Sequence, residues 1–589
     1  MPTSQPDNIR PLRLWPAATF AALQCFGWFL VPVLFPEQAV FGMLAALVGA
    51  LLIIGWWMLF SRVPWLERFG ILALMAGALI VTSRYIHISI AGAGMGRMFY
   101  ILAPILMTFT LAVGVLAGRR FATGPRRAVI AASVLLGAGF WTLLRTDGII
   151  GAGGSAFHWR WTPTAEERLR SLANDEPKLI PPATVAAAPE PAPAPVDPVV
   201  IDRPHAAEWP GFRGPHRDSI LRGVQIVTDW TTSPPLQMWR RPIGPGWSSF
   251  AVDGDIIYTQ EQRGEEEIVA AYKLSSGEPL WRHRDPARFW ESNGGAGPRG
   301  TPTLLNGRVY TMGATGVVNA LDAKTGALIW SRNAATDTGA KLPEWGFTSS
   351  PLVMDDLVIV ATSGRLVAYD IAGGKPRWTE KSKGGSYSSP HPLTIDGVRQ
   401  VLLVNGGGAS SFAPDTGKVL WDHEWPGGAI IQPAVIANGD MLISSNDVMG
   451  GVGTRRLAVT MSAGAWKVEE RWTSRGLKPF YNDLVVHKGH AYGFDGSILA
   501  AIDLTDGERK WKGGRYGNGQ LLLLPDQDLL LVLSEEGELA LVKAAPDQFT
   551  EVARFKAIEG KTWNHPVLVR DILLVRNGEE MAAFRLAHF

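Results

Sequence analysis

A short motif recurs along the C-terminal part of the chain and constrains its fold more than any other feature. In every copy a glycine stands four residues before a tryptophan. The copies read AYKLSSGEPLW (271–281), ALDAKTGALIW (320–330), AYDIAGGKPRW (368–378), SFAPDTGKVLW (411–421) and AIDLTDGERKW (501–511). The first four tryptophans are 49, 48 and 43 residues apart. Self-similarity at such a period is typical of propellers and other repeat proteins.

The residues of one copy predict a β-hairpin. An apolar strand ends in a turn whose glycine allows a positive φ, and an aspartate eight residues before the tryptophan caps that turn in three copies. We expect the tryptophan of the next strand to pack between neighbouring sheets. Two more short strands precede each hairpin, for example 308–312 and 357–361. Four short antiparallel strands per repeat indicate a propeller blade.

Counting these units predicts eight blades. Seven fit between residue 247 and about residue 555, including degenerate copies that end at Trp472 and span about 537–555. Three C-terminal strands, near 565–569, 572–576 and 581–586, make three-quarters of an eighth blade. The segment Pro235–Arg241 supplies the missing outer strand and places Trp239 at the repeat position. The expected fold is therefore an all-β eight-bladed propeller without a free edge at the seam.

The N-terminal quarter of the chain predicts a helical membrane domain. Because a bilayer-spanning helix needs about 20 apolar residues, five stretches qualify, at about 15–35, 38–60, 67–83, 98–118 and 128–146. Arginines cluster before the first stretch and in alternate connections: Arg10, Arg13, Arg62, Arg68, Arg119, Arg120, Arg126 and Arg127. The positive-inside bias then predicts a cytoplasmic N-terminus and a propeller on the far side of a bacterial inner membrane.

Composition sets the remaining domain boundaries and excludes some partners. The Pro/Ala-rich stretch 181–196 favours an extended spacer. We expect a membrane domain at 1–150, an extracytoplasmic helix and linker at 151–208, and the propeller at 209–589. The net charge is +2 and no long basic run is present, so the lipid bilayer is an expected partner and nucleic acid is not. The single cysteine, Cys25, excludes an intramolecular disulfide.

The A-x-D-x-x-x-G-x-x-x-W motif resembles the pyrroloquinoline-quinone (PQQ) repeat of quinoprotein alcohol and glucose dehydrogenases. A scaffold lipoprotein of the outer-membrane β-barrel assembly machinery carries the same repeat. The segment WPGFRGPHRDS (209–219) is similar to the start of many PQQ-like propellers, and the resemblance covers about 209–589. It implies the fold, whereas the repeat itself packs blades and does not bind PQQ. Unlike the dehydrogenases, the chain has a short propeller, no adjacent cysteines and no C-x-x-C-H motif.

The repeat also predicts where a site lies. The innermost strand of each blade begins about 30 residues before its tryptophan, so these strand entries are expected to ring one mouth of the central channel. The candidate ligand-binding residues there are Trp247, Arg299, Trp345, Tyr387, Gln432, Asn482, Asn518, Trp563 and Asn564. Such a ring suits a planar or polyhydroxylated ligand, with Asp483 or His565 as a candidate general base. Alternatively, the aromatics wedge between blades and the polar residues satisfy strand ends. No metal ligands are assigned.

Two functions remain open. The first is a membrane-anchored binding or scaffolding module with periplasmic protein partners. The second is a PQQ- and Ca²⁺-dependent dehydrogenase that oxidises an alcohol or sugar and passes electrons to membrane quinone. A further possibility is peptide capture by strand addition, which requires an exposed strand edge. The acidic run Glu265–Glu267 is interpreted as a solvated hairpin tip.

Overall fold

The structure is a computed structural model that describes residues 14–35, 39–150, 154–172, 176–177, 207–428, 431–447 and 450–588. The linker at 181–196 and the arginines at positions 10 and 13 lie outside these residues. The chain forms two compact units. One extends to Thr162 and includes Glu291–Gly295, and the other comprises Pro163–Trp290 and Ala296–Phe589.

The N-terminal unit is helical. Its helices are Leu14–Cys25, Val31–Leu34, Ala39–Leu59, Trp65–Thr82, Ile88–Gly92, Met98–Ala117 and Thr123–Gly139, with a π-helical turn at Phe26–Leu30. A hairpin of Leu144–Ile150 and Gly154–Trp159 follows. Four helical segments are long and apolar enough to cross a membrane: Phe41–Leu59, Trp65–Thr82, Met98–Arg120 and Thr123–Leu143. The first of the five predicted spans forms a shorter apolar helix, Leu14–Leu30.

The second unit contains eight four-stranded antiparallel sheets, which confirms the predicted propeller. Blade 1 comprises Ala251–Asp253, Ile256–Arg263, Glu266–Lys273 and Pro279–Asp285. Blade 2 comprises Thr303–Leu305, Arg308–Met312, Val317–Asp322 and Leu328–Asn333. Blade 3 comprises Leu352–Met354, Leu357–Ala361, Arg365–Asp370 and Pro376–Lys381. Blade 4 comprises His391–Ile395, Val398–Asn405, Gly408–Phe412 and Val419–Glu424.

The remaining blades follow the same order from the channel outwards. Blade 5 comprises Ala434–Ala437, Asp440–Asp447, Gly450–Ser462 and Ala465–Ser474. Blade 6 comprises Val485–His487, His490–Asp495, Ile498–Asp503 and Arg509–Arg515. Blade 7 comprises Gln520–Leu524, Leu529–Leu533, Glu538–Lys543 and Glu551–Lys556. Blade 8 comprises Val567–Val569, Ile572–Arg576 and Glu580–Arg585, and its outer strand is Leu236–Pro242 from before blade 1. The predicted closure of the seam is confirmed.

The antiparallel order gives the propeller two faces. The upper face carries the strand entries and the tip between the second and third strands of each blade, such as Gly264 in blade 1. The lower face carries the repeat glycines, such as Gly277. A short helix, Ala165–Arg170, begins at a capping box formed by Thr164 and Glu167. Its Glu166 carboxylate accepts the Gly264 amide at 2.6 Å, so this helix lies on the upper face.

In six of the eight blades, a tryptophan of the outer strand locks the blade to the next one. The Trp281 indole nitrogen of blade 1 donates to the Ala323 carbonyl of blade 2 at 3.0 Å, and the Trp281 ring packs against the turn glycine Gly326. Five further indole nitrogens donate in the same way to a backbone carbonyl of the following blade, at 2.7 to 3.1 Å: those of Trp239, Trp330, Trp378, Trp472 and Trp511. A Cβ atom at Gly326 would lie 2.4 Å from the Trp281 ring. The glycine is therefore required both for its φ of 73° and for the space that the ring occupies.

Blade 5 departs from this pattern because its outer hairpin lacks the turn glycine motif. The Trp421 indole nitrogen of blade 4 instead donates to the buried Gln400 side chain of its own blade at 2.8 Å. The blade-5 hairpin turns at Ala463 and Gly464, beyond a 13-residue strand. The degenerate repeat that ends at Trp472 thus keeps the four strands and loses one interlock.

Replacing Gly326 by alanine tests the interlock. Both Gly326→Ala and the control Gly307→Ala place a side chain at φ near 70°, but a Cβ at Gly307 meets nothing within 4 Å. The left-handed conformation costs about 1–2 kcal/mol in either variant. Overpacking against Trp281 adds about 1–3 kcal/mol only at Gly326. We expect the thermal unfolding midpoint of the full chain in detergent to fall more for Gly326→Ala. Equal midpoints in the two variants would contradict the interlock.

Candidate functional site

A ring of hydrogen bonds joins the strand entries around the channel. The Ser249 amide donates to the Thr301 hydroxyl at 3.0 Å, and the Thr301 amide donates to the Ser350 hydroxyl at 3.0 Å. The Ser350 amide continues to the Ser389 hydroxyl at 2.8 Å. These residues occupy equivalent positions in blades 1 to 4, so each bond crosses from one blade to the next. We call this set of equivalent residues the entry ring.

Three of the predicted site residues belong to the entry ring. The Gln432 side-chain amide pairs with both backbone groups of Ser389, at 2.8 and 2.9 Å, in the orientation that satisfies its oxygen and nitrogen. The Gln432 backbone amide donates to the Asp483 carboxylate at 2.7 Å. The His565 carbonyl, at the entry of blade 8, accepts from the Ser249 hydroxyl of blade 1 at 2.6 Å, and this bond closes the ring. Gln432, Asp483 and His565 therefore connect blades through the ring.

The segment Trp209–Ile226 enters the channel from the lower face. We call it the plug. The guanidinium of Arg213 is 1% exposed and lies 3.3 Å from the Asp483 carboxylate. It also donates to the Leu484 carbonyl of blade 6 at 3.2 Å. Arg217 donates to the carbonyls of Ser350 and Pro351 in blade 3, at 3.1 and 3.0 Å. Two plug arginines therefore bind the strand entries of two separate blades, blade 6 and blade 3.

The plug also holds His565 in one protonation state. The His565 Nδ1–H donates to the Pro566 carbonyl at 2.8 Å, because a carbonyl can only accept. Its Nε2 accepts the Ser219 hydroxyl at 2.9 Å, and Ser219 in turn accepts from Arg213 at 2.8 Å. Burial, assisted by the Arg213 charge, lowers the pKa of His565 to about 3. The imidazole is neutral, and its basic nitrogen is occupied by the plug.

The two candidate bases are thus fully engaged within the chain. Burial raises the pKa of the Asp483 carboxyl, while the Arg213 charge and the Gln432 amide oppose that rise. Burial also lowers the pKa of the Arg217 guanidinium to about 10, together with repulsion from Arg213. Sequence reasoning missed Arg213 and Arg217. The signal was available, because two arginines lie in the motif WPGFRGPHRDS just before the first blade.

The plug backbone is held in an unusual conformation. Arg213, Arg217 and Ser219 have φ values of 64°, 55° and 61°, in the left-handed region that non-glycine residues rarely adopt. Such a conformation persists where the surrounding contacts determine it. Those contacts include backbone pairing of Trp209 with Val252 of blade 1, at 2.7 and 3.1 Å. The plug is therefore an integral part of the propeller.

Five aromatic side chains meet at the upper mouth of the channel, and all of them except Tyr481 are among the candidate residues named from the sequence. Trp247 contacts Trp563 at a ring-centroid distance of 4.8 Å, and Trp563 stacks on Tyr481 at 5.1 Å. Tyr481 contacts Trp345 at 6.0 Å, and Trp345 stacks on Tyr387 at 4.9 Å. All five are partly exposed and come from different blade entries. We call this row the aromatic mouth. Its rings touch one another across the channel and do not leave an open slot.

Charged and polar groups support the aromatic mouth from its sides. The Trp563 indole nitrogen donates to the buried Glu535 carboxylate at 2.8 Å, and the Asn518 amide donates to the same carboxylate at 3.0 Å. The Lys561 ammonium lies 4.6 Å from the Trp563 ring centroid. Arg299 donates to the Trp345 carbonyl at 3.3 Å. Glu535 and Lys561 were not predicted, because neither lies at a strand entry.

The two predicted asparagines lie directly after mouth aromatics. Asn564 follows Trp563 and donates to the carbonyls of Gly246 and Ser248, at 3.2 and 2.7 Å. Asn482 follows Tyr481 and accepts the Phe480 amide at 3.1 Å. Both are 1% exposed. The structure therefore assigns the aromatic residues to the mouth surface and the two asparagines to its buried support.

The interpretation of Glu265–Glu267 as a solvated tip is wrong for Glu267. This residue is 3% exposed and its carboxylate accepts the Ala314 amide of blade 2 at 2.9 Å. Its side chain fills the space where Gly313 has no Cβ. Burial raises the pKa of Glu267 to about 7, against the weaker opposing effect of the Ala314 hydrogen bond. The side chain of Glu265 remains 88% exposed.

The raised pKa of Glu267 predicts a pH-dependent stability. Its contribution is fully present below the ordinary carboxyl pKa and is lost as the pH rises through about 7, because the buried group must then ionise. We expect Glu267→Gln to gain stability relative to the parent between pH 5 and pH 8, by up to about 3 kcal/mol. Thermal unfolding at both pH values measures this. The control Glu265→Gln should show no such gain, and a pH-independent difference for Glu267→Gln would contradict the burial argument.

A Ca²⁺–PQQ pair does not fit the residues at the mouth. The aromatic rings lie at contact distance from one another, so a planar tricyclic quinone has no slot between them. Among the described residues no group of three or more His, Cys, Asp or Glu side chains could hold a metal ion. The buried Asp483 carboxylate is already paired with Arg213.

Repeats, closed propeller and aromatic mouth together define a PQQ-repeat propeller. The family model described as outer membrane protein assembly factor BamB matches residues 229–407 and 405–584, and the chain belongs to this family. BamB of Burkholderia pseudomallei is 26% identical over 275 residues, 39% of this chain and 70% of that protein. Quinohemoprotein alcohol dehydrogenase of Comamonas testosteroni is 30% identical over 197 residues, 30% of this chain and 25% of that enzyme. The crystal structure of BamB from Moraxella catarrhalis aligns with 16% identity, a TM-score of 0.43, and coverage of 60% of this chain and 100% of that one.

Proposed function

We propose that this chain is a membrane-anchored propeller that binds or scaffolds protein partners outside the cytoplasm. The observation that carries the proposal is the closed channel, with the plug at its lower end and five contacting aromatic rings at its upper end. Because neighbouring rings contact one another, the upper mouth offers an aromatic surface for a partner. Membership of a family described as an outer membrane protein assembly factor supports a protein partner.

The membrane placement forms part of the same proposal. Four apolar helical segments, together with a shorter N-terminal one, supply an anchor in the bilayer. The arginines at Arg62, Arg68, Arg119, Arg120, Arg126 and Arg127 favour a cytoplasmic side for the connections that carry them. We assign residues 1–150 to the inner membrane, 151–208 to a spacer and 209–589 to a periplasmic propeller.

The aromatic mouth is the proposed contact surface. Tyrosine and tryptophan supply a large contact area at a low conformational cost and are enriched at protein interfaces. Trp247, Trp345, Tyr387, Tyr481 and Trp563 place such groups side by side on the upper face.

The dehydrogenase alternative is less supported. The quinohemoprotein alcohol dehydrogenases of Comamonas testosteroni and Pseudomonas putida match this chain over only 25% and 19% of their own length. The mouth residues that would have to hold the quinone contact each other instead.

Titration of the full chain with PQQ and Ca²⁺ separates the two functions. Tryptophan fluorescence reports binding directly, because Trp247, Trp345 and Trp563 lie at the mouth. We expect no saturable quenching up to about 1 mM PQQ, a concentration that corresponds to about −4 kcal/mol of binding free energy. Saturable quenching at micromolar PQQ, lost in Trp563→Ala, would overturn the scaffolding proposal. A photo-cross-linking residue at position 345 should capture a protein partner in intact cells, and the same residue at the lower-face position Val398 should not.

A further inference from the structure

The plug pairs with the inner strands of only some blades. In blade 7 the Leu523 amide donates to the Ser219 carbonyl, and the Leu221 amide donates to the Leu523 carbonyl, both at 2.9 Å. In blade 1 Val252 exchanges two such bonds with Trp209, and in blade 2 the Leu304 amide donates to the Pro210 carbonyl at 2.7 Å. These bonds use the strand edge that faces the channel. The plug is thus an intramolecular example of strand addition.

Pseudo-symmetry identifies the equivalent edge positions in the other blades. Val252 and Leu304 lie three residues after the entry-ring residues Ser249 and Thr301, and Leu523 lies three residues after Gln520, the equivalent residue of blade 7. In the adjoining blades 4, 5 and 6 the same spacing gives Pro392, Val435 and Val486, and in blades 3 and 8 it gives Val353 and Leu568. Proline has no amide hydrogen, so within blades 4 to 6 only the two valines offer both a donor and an acceptor. Within the described chain, no backbone hydrogen bond from outside their own sheets reaches Val435 or Val486.

A cavity lies at these unused positions. It measures about 270 Å³ and opens on the lower face beside the plug. Its walls include the equivalent residues of blades 4 to 6, Pro392, Val435 and Val486, with Leu393, Val485 and Ile220 as further apolar groups. His391 also lines it, is 4% exposed, and has an Nδ1 atom without a hydrogen-bond partner. Burial and the charges of Arg213 and Arg217 lower the pKa of His391, so this imidazole is neutral.

We propose that this cavity captures an extended peptide segment of a partner by strand addition to Val435 and Val486. The inference deepens the proposed scaffolding function and rests on it. The occupant is a peptide because the pairing groups at the equivalent Leu523 are a backbone amide and a backbone carbonyl. It carries an apolar side chain, which enters the space between the valines and Pro392. Proline is excluded at the pairing position, because the strand must donate an amide hydrogen.

A peptide that copies the plug strand provides the probe. The acetylated and amidated sequence DSILRG, from Asp218–Gly223, contains the residue that pairs with Leu523. With the full chain in detergent, we expect saturable binding of the fluorescently labelled peptide below about 1 mM. The control peptide carries an N-methyl group on its leucine amide, which removes the donor equivalent to Leu221. We expect the N-methylated peptide to bind at least about tenfold more weakly, which corresponds to about 1.4 kcal/mol.

Two matched variants locate the binding. Val435 is 39% exposed and lines the cavity, whereas Val398 is 38% exposed in the neighbouring blade and does not. Val435→Trp should fill the cavity and weaken peptide binding at least about tenfold, and Val398→Trp should leave it unchanged. Hydrogen exchange should show slower exchange at 434–437 and 485–487 when the peptide is bound.

Three results would overturn the inference: no saturable binding, equal binding of the N-methylated peptide, or equal effects of Val435→Trp and Val398→Trp. None of these touches the broader scaffolding proposal, which depends on partner capture at position 345 of the aromatic mouth. Conversely, position 345 could capture no partner while the DSILRG peptide still binds. The aromatic mouth would then not be the partner surface, and the lower cavity would remain the peptide site.

Discussion

The ion pair between Arg213 and Asp483 is the interaction on which the central channel depends. A guanidinium and a carboxylate, both buried, lie 3.3 Å apart at the centre of a ring of eight blades. Neither charge is stable there alone, because desolvation of an unpaired ion costs several kcal/mol. Arg213 further binds Ser219 and the Leu484 carbonyl, so its position determines where the plug backbone runs. The plug then pairs with blades 1, 2 and 7 and leaves the edges of blades 5 and 6 unpaired.

The outer part of the propeller depends on a simpler constraint. A glycine with positive φ leaves room for the tryptophan of the preceding blade, and the indole donates to a carbonyl beside that glycine. Because each contact joins neighbouring blades, the ring closes only when the last blade finds a partner for its outer edge. Leu236–Pro242 provides that partner and brings Trp239 against Gly277 of blade 1. The side chains that fill the central channel therefore take no part in joining the outer strands.

The sequence predicted the features that repeat and failed for those that occur once. Gly326 and Trp281 recur at a fixed spacing, so the blades, their number and the seam strand followed from counting. The placement of Trp247 beside Trp563, and of Trp345 beside Tyr387, followed from the same pseudo-symmetry. Arg213 has no equivalent in another repeat, and its partner Asp483 lies 270 positions further along the chain. Glu267 was predicted to be solvent-exposed because it lies in an acidic run. The structure buries it instead, because the neighbouring blade supplies the Ala314 amide and a space beside Gly313.

Replacement of Arg213 by methionine tests most directly whether the plug is an integral part of the channel. The matched control is Arg222→Met, because Arg222 belongs to the same segment and pairs with Asp218 on the surface at 3.4 Å. Breaking the buried pair should cost about 3–5 kcal/mol, whereas loss of the exposed pair should cost about 0–1 kcal/mol. Hydrogen exchange of the full chain should then accelerate across 209–221 in Arg213→Met and remain at the parental rate in Arg222→Met. Parental exchange in both variants, with equal unfolding midpoints, would show that the plug does not depend on Arg213 and would contradict this account.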